Sequence, residues 1–396
     1  MPENPTALSP HVQRLIDEKY IVTLYGQYII IDNVPYVSSP GEISRAAIIS
    51  PYYVENGKEH FGDHTVWFTG TVPCTPSGES LVHVLIADQN RTEVAGRQVL
   101  CRFSYKSERA DTLDNIYSKL MHNIRKLQSY VNVIDAGASA RGDGSFSSRQ
   151  EQSVFYYPNT AIAREGLDSY EKKLKLGKVA IIGLGGTGSY VLDALAKTPV
   201  QEIHLYDDDS IDRATAFRMP GALSYEDAHK GIRKTDYHRN VYSQMRTGIE
   251  SHPVRIDPSN VHELDDCHFV FIAVDHGPSR DLIARHLSEK RIAFVDVGMG
   301  VDRVPEDTKL VARVRATSIS EESKFLLDAL PVAEDTTDAV YNNIQVVELN
   351  ALNAMLAVTI YKQKIGFYSE EINVNTLKYV LAWQRLSHFP PKPNED

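Results

Sequence analysis

Cysteine is scarce in this chain of 396 residues: Cys74, Cys101 and Cys267 are the three, and they sit far apart. They form no CxxC pair and no zinc-ligand spacing, so neither a disulfide framework nor a structural zinc is expected, and a reduced, cytoplasmic compartment is. Long apolar runs are missing too. No stretch of about 20 apolar residues occurs, which argues against a membrane-spanning helix. The opening stretch MPENPTALSPHVQRLIDEKY lacks the apolar core of a secretory leader. Basic charge is in deficit, with 42 Lys and Arg against 52 Asp and Glu and a net charge of −10. A general nucleic-acid binder has the reverse balance, so neither nucleic acid nor membrane is expected as a partner. No internal repeat is visible.

What is present falls into two halves. The first reads as β-rich. YIVTLYGQYIIIDNVPYV is dense in β-branched and aromatic residues and broken at Gly26 and at Asp32 and Asn33, which predicts two strands or a hairpin. HTVWFTGTVP, SLVHVLI and RQVLCRFSY are further strand candidates. The period then lengthens: Leu113, Ile116, Tyr117, Leu120, Ile124, Leu127 and Val131 fall on one helical face. Residues 135–152 are small, polar and glycine-rich, and read as a flexible linker. The expected division is a β-rich α+β domain over 1–134, a linker over 135–155 and a second domain over 156–396.

That second domain alternates. KVAIIGLG, EIHLYDDD, FVFIAVD and AFVDVGM read as strands, and HPVRID is a further candidate. TGSYVLDALAKT, KTDYHRNVYSQMRTGI and SRDLIARHLSEK read as the helices between them. Such a βαβ series predicts an α/β fold, a Rossmann-like and mostly parallel sheet with helices on both faces. YNNIQVVELNALNAMLAVTIYKQKIG reads as a long late helix, apolar on most sides, buried in the core or at a subunit interface.

Gly183, Gly185, Gly186 and Gly188 follow the first of these strands and open a helix. Such a turn lets the backbone approach an anion, which the helix N-terminus then favours. Three readings stand beside each other. Gly183-x-Gly185-x-x-Gly188 matches a dinucleotide fingerprint, with Asp207 to Asp209 near a ribose, and supports an NAD-dependent oxidoreductase. A glycine-rich turn without any ligand is the plainest reading. The third is Mg-ATP. The acidic DDDSID, then Arg218, then Lys234, then Asp275 supply more cations and carboxylates than a dinucleotide needs. Taken singly, Asp208, Asp212, Arg218 and Lys234 read as solvated, and Asp275 as a helix cap.

Their order resembles the ThiF-like adenylyltransferases, the superfamily of the ubiquitin-activating enzymes, over about residues 174–367. The matching pieces are Gly183 to Ser189, Asp207-x-Asp209-x-Ile211, Arg218, Gly231-x-x-Lys234, and Asp275 with Arg280. NNIQVVELNALNAMLAV is similar to the family's late helix. The resemblance implies ATP- and Mg-dependent adenylation of a protein C-terminal carboxylate, most often that of a ubiquitin-like protein, with a homodimer expected. The turn (Gly183, Gly185, Gly186, Thr187, Gly188) with Asp207, Asp209, Arg218 and Lys234 would bind ATP. Arg218 and Lys234 would offset charge at the α-phosphorus, and Asp275 would hold Mg²⁺. IDNVPYV and DHTVWFTGTVPC resemble a domain fused ahead of ThiF-like domains in bacterial ubiquitin-like conjugation operons, some tied to phage defence. That implies a partner- or substrate-binding role for the first half, and a conjugating-enzyme partner.

The chain departs from the family pattern in places. The family's CxxC pairs are absent, and no cysteine follows Cys267. Thr215 stands where the family has asparagine. The upstream Arg-x-x-Arg is unmatched; Asn159 falls near it and Arg164 is the nearest arginine. This last departure favours a catalytically silent scaffold as an alternative. For an acyl acceptor on the chain itself, Cys74, in a turn and exposed by expectation, ranks ahead of Cys101, which reads as a buried strand residue. His60 and His64 are a metal pair by spacing only, and His276 reads as local structure.

Overall fold

Ser9 accepts a hydrogen bond from Val12 N at 3.1 Å and Pro10 follows at the first helical position, which sets the start of α1, Pro10–Asp17. The structure is a computed structural model; it describes residues 8–89, 91–104, 113–150, 152–304, 307–332 and 344–389. These residues divide into two compact units: residues up to Ser153 together with Pro158–Tyr170, and Val154–Tyr157 together with everything from Glu171 onward.

In the first unit, β1 (Val22–Tyr25), β2 (Tyr28–Ser39) and β3 (Glu42–Pro51) form an antiparallel meander, turned at Gly26 and Gly41, both at positive φ. β4 (Val66–Phe68), β5 (Ile86–Asp88) and β6 (Cys101–Phe103) extend it. Its helix α2, Ile116–Ile134, is fixed at its start by a reciprocal cap between Asn115 and Ser118. Ile116, Leu120, Ile124 and Leu127 join Ile29, Ile31, Ile48 and Phe68 in one core. The order of the seven-stranded sheet is β7-β1-β2-β3-β4-β6-β5, where β7 is Phe146–Arg149. Here the structure corrects the linker expected over 135–152: β7 pairs in parallel with β1, Val22 opposite Phe146. Strand pairing uses backbone groups, so a small polar composition does not exclude it. SLVHVLI is also corrected, since Val82–Leu85 turns as a short helix before β5. Residues Thr160–Glu165 form the short helix α3.

The second unit is the α/β sheet. Its eight strands run in the order β10-β9-β8-β11-β12-β13-β14-β15, with β8 Lys178–Ile182, β9 Glu202–Tyr206, β10 Ile249–His252, β11 Phe269–Ile272, β12 Phe294–Arg303, β13 Leu310–Ile319, β14 Thr376–Val380 and β15 Arg385–Phe389. β10 to β12 pair in parallel, and β12 to β15 continue antiparallel. Helices cover both faces, as a parallel sheet requires. α4 (Gly186–Leu195) and α7 (Val347–Lys364) supply Leu192, Leu195, Ala357 and Tyr361 to one core, while α6 (Gly277–Glu289) supplies Ile283, Ala284 and Leu287 to the other. α5 is Lys234–Tyr242 and stops short of the expected end, because Gly248 turns the chain at φ +74° into β10. The strand expected at HPVRID is therefore Ile249–His252, shifted toward the N-terminus. The start expected for the late helix, 341–343, lies outside the described residues. Among the described residues no helix is long and apolar enough to cross a membrane.

Candidate nucleotide site

The parallel register brings the carboxyl ends of three strands together: Ile182 lies opposite Tyr206 of β9 on one side and Ile272 of β11 on the other. The loops that leave there carry the glycine turn, Asp207 and Asp275, and such a rim is where open α/β sheets bind ligands.

Within the turn, two glycines are required by the backbone around them. Gly183 adopts φ +90°, and a Cβ there would lie 2.5 Å from Ala273 O. A Cβ on Gly188 would lie 1.8 Å from Gly183 O. Gly185, which caps α4 without a side chain, has nothing within 4 Å of such a Cβ, so its place faces open space. The first amides of α4 have no helical acceptor, and they stand at this opening.

Asp207 ties the turn to the next strand. Its Oδ2 accepts from Leu184 N at 2.6 Å and its Oδ1 from Asp209 N at 2.9 Å. Burial lifts the Asp207 carboxyl above the usual range, against the pull of Lys234 and those two amides. Lys234 begins α5 and is almost wholly buried, with Nζ 2.6 Å from Asp209 Oδ2 and 3.5 Å from Asp207 Oδ1. Backbone contacts hold it there: Lys234 N donates to Asp209 O at 3.0 Å and Ile211 N to Ile232 O at 2.8 Å. Asp207, Asp209 and Lys234 thus lie together beside the turn. Among the described residues, Asp207, Asp208 and Asp209 are a group of carboxylates whose ligand atoms lie within 4.8 Å of one another. Asp275 is not in that group; it is exposed on the loop after β11. The helix cap falls to its neighbour His276, whose Nδ1 accepts from Ser279 N at 3.2 Å.

Arg218 follows a short helix, Arg213–Ala216, that Asp212 caps through Thr215 N and Oγ1, both at 2.6 Å. Those bonds hold the Asp212 carboxyl below the usual range, with help from the charges of Arg218 and Lys234. Arg218 Nε is buried and has no hydrogen-bond partner among the described residues. A buried guanidinium N–H without an acceptor is costly, and an anion is the kind of partner that would satisfy it. The groups at the turn fit a phosphate, an open glycine cradle at a helix N-terminus with a buried lysine close by; Arg218 lies on the segment between Asp209 and Lys234, and its charge, like that of Lys234, reaches Asp212.

Other sequence candidates separate from this place. Cys74 is buried, not exposed: its N donates to Val37 O at 3.0 Å and its Sγ lies 3.6 Å from the same oxygen. The turn containing it folds back on β2, and burial pushes the thiol up. Cys101 and Cys267 are buried with thiols pushed up to about 12, chiefly by burial. An acyl acceptor needs a reachable thiolate, so the structure corrects the nomination of Cys74 and Cys101. His60 stacks on Tyr53 at 4.8 Å while His64 Nε2 pairs with Ser104 Oγ at 2.9 Å, so the two rings have separate partners. Asn159 caps α3, and Arg164 is exposed beside Glu165 in the first unit.

Residues outside the sequence reading also frame the site. Asp296 of β12 is fully buried between Arg280 Nε at 2.8 Å and Arg315. Arg280 further donates to Val274 O, the residue before Asp275, and to Pro331 O. Asn350 of α7 accepts from Thr187 Oγ1 at 2.9 Å.

Two family models match the chain. Residues 156–376 match the ThiF family, and residues 10–160 match a domain of unknown function, DUF6791. The chain is 23% identical over 195 residues to an adenylyltransferase and sulfurtransferase UBA4 of Lodderomyces elongisporus, covering 48% of this chain and 42% of the relative. It is 41% identical over 63 residues to a tRNA threonylcarbamoyladenosine dehydratase of Bacillus subtilis, covering 16% and 23%. The chain thus spans less than half the length of these curated relatives. A solved structure of MccB from E. coli with ATP is similar at TM-score 0.45 and 19% identity, covering 60% of this chain and 74% of that one.

Proposed function

Because the chain belongs to the ThiF family, we propose that it adenylates the C-terminal carboxylate of a protein, of ubiquitin-like type, in an ATP- and Mg-dependent reaction. The observation that carries this reading is the buried Arg218 Nε, without a hydrogen-bond partner among the described residues, in the same unit as the open glycine turn and the buried Lys234. Gly185, Gly186, Thr187 and Gly188 offer backbone amides to the phosphates, and Gly183, whose N–H donates to Tyr206 O at 2.8 Å, serves the same cradle by its positive φ. Asp207 and Asp209 fix the ribose side and hold Lys234. Lys234 and Arg218 offset the charge that grows on the α-phosphorus. An oxygen of the incoming carboxylate bonds to that phosphorus, the bond to pyrophosphate breaks, and pyrophosphate leaves with the electron pair. Asp275 would hold Mg²⁺, which when bound would supply positive charge to the phosphates. No proton transfer by a side chain is required, so positioning and electrostatics supply the rate.

The activated acyl group passes to a thiol of a conjugating partner, because all three thiols of this chain are buried. The first unit binds that partner or the substrate tail. A homodimer, a cytoplasmic setting and a role in phage defence belong to the same reading. The test is ATP–pyrophosphate exchange by the full chain with ubiquitin-like candidates from its genomic neighbourhood, beside R218A and D275A. Exchange that needs the substrate and falls roughly 100-fold or more in R218A supports the proposal. Tight NADH binding without exchange would establish the oxidoreductase reading instead; ATP binding without exchange would favour the silent scaffold.

A further inference from the structure

α7 is apolar on nearly every side, yet it buries two asparagines three positions apart, Asn350 at 1% exposure and Asn353 at 0%. A buried amide destabilises a core unless it is paired, so its presence calls for a reason. Asn353 Nδ2 donates to Gly298 O of β12 at 3.2 Å. Asn350 is paired at both ends of its amide. Its Nδ2 donates to Val346 O at 3.2 Å, and its Oδ1 accepts from Thr187 Oγ1 at 2.9 Å. It also occupies the space beside Gly186: a Cβ there would lie 2.2 Å from Asn350 Nδ2. Ser189 Oγ meanwhile donates to Gly186 O at 2.8 Å. Gly186 and Thr187 are thus held both from within α4 and from a helix 163 residues further on.

We propose that Asn350 is a positioning residue for the anion-binding turn. It fixes Thr187 and Gly186 so that the first amides of α4 are aimed before the nucleotide arrives, a role that rests on the ATP reading above. The Thr187 hydroxyl then serves the turn as a donor to Asn350, and the backbone N–H of Thr187 serves the phosphate. Donors held in place beforehand bind without first being ordered, which raises affinity with no new contact to the ligand.

The test uses the full chain, with N350A, T187V and the double variant. Two quantities are read: ATP dissociation constants by calorimetry, and hydrogen exchange of the amides of 184–189 without ATP. Each single variant should weaken ATP about 5- to 10-fold and quicken exchange in the turn, and the double variant should be no worse than either single one, because both remove one link. N350D, which keeps the acceptor for Thr187, should retain the slow exchange. A purely structural role would lower thermal stability and leave both readouts unmoved, which would overturn the proposal, as would additive losses in the double variant. Should N350A fail to fold, T187V carries the same two readouts. If ATP binds none of the proteins, the unsubstituted chain included, the ATP reading falls, and exchange in the turn still decides whether Asn350 holds it.

Discussion

Replacing Asp296 by alanine would remove a fully buried carboxylate from between two arginines. The consequences for the two are unequal. The Arg315 side chain is 22% exposed and can turn part of its guanidinium to water, so its loss is discounted. The Arg280 side chain is 9% exposed and keeps, among the described residues, only the carbonyls of Val274 and Pro331. Stranding one buried charge in this way destabilises by about 3–5 kcal/mol. For a unit of this size each kcal/mol moves the melting temperature by about 2–4 °C, which gives a fall of roughly 6–20 °C. Thermal unfolding of the full chain, followed by circular dichroism and calorimetry, reads it. D296N, which keeps the shape and one acceptor, should lie between the two. The double variant R280M/D296L, which removes both charges, should recover much of the loss, because apolar replacement of a buried pair is close to neutral. A fall under about 3 °C in D296A would refute the reasoning. So would a double variant as unstable as D296A, since the damage would then come from packing and not from a stranded charge.

Four further outcomes are expected. G188A should abolish nucleotide binding and destabilise the second unit by about 2 kcal/mol or more, since its methyl must displace Gly183 O; a near-normal melting temperature would count against that packing. His238 is buried beside Lys234 and titrates at about 4, chiefly because burial disfavours its charge. Its unfolded form titrates near 6.5, so the unfolded state binds more protons between those values. Stability on this account is full above about pH 6.5 and falls by up to about 3 kcal/mol as the pH drops to 4; H238Q should flatten that part of the stability profile. No thiol should react with a disulfide reagent at pH 8 on a timescale of minutes in the native chain, and all three should react in denaturant; rapid native labelling of Cys74 would contradict its burial. K234M should lose ATP binding while staying folded, and an unfolded K234M would make the lysine structural.

The core of the site was legible because its parts lie close in sequence to strand ends. Gly183 to Gly188 follow β8, Asp207 follows β9, and Lys234 starts α5 just after the glycine at 231. Hydrophobic runs located the central parallel strands for the same reason: both faces are buried, so every residue of β11 and every residue of β8 after Lys178 is apolar. The antiparallel strands were harder. β13 alternates Arg313 and Arg315 with Ala312 and Val314, and those arginines answer to Asp302 and Asp296 on β12. Asn350 was invisible for a related reason, since nothing near it in sequence reveals that Thr187 is its partner. Cys74 misled because a Pro-Cys-Thr-Pro turn reads as exposed, while here the turn pairs back, Cys74 with Ser80, against β2.

The pairing of β7 with β1 bears on how the first unit can be expressed alone. A fragment cut after residue 134 would remove the strand that covers β1 and leave a row of N–H and C=O groups open on that edge. Exposed edges of this kind pair with other chains and aggregate. The same cut would discard Gly166, whose backbone lies against Trp67 so closely that a Cβ would sit 2.7 Å from the indole, and Asp168, which accepts from Tyr28 OH. A soluble fragment must therefore run to Tyr170. It must also carry Val154–Tyr157, which is anchored in the other unit by Thr247 N on Val154 O at 2.8 Å. Removing the first unit from the gene takes that short strip away from the second, so neither half can be excised by one cut without injuring the other.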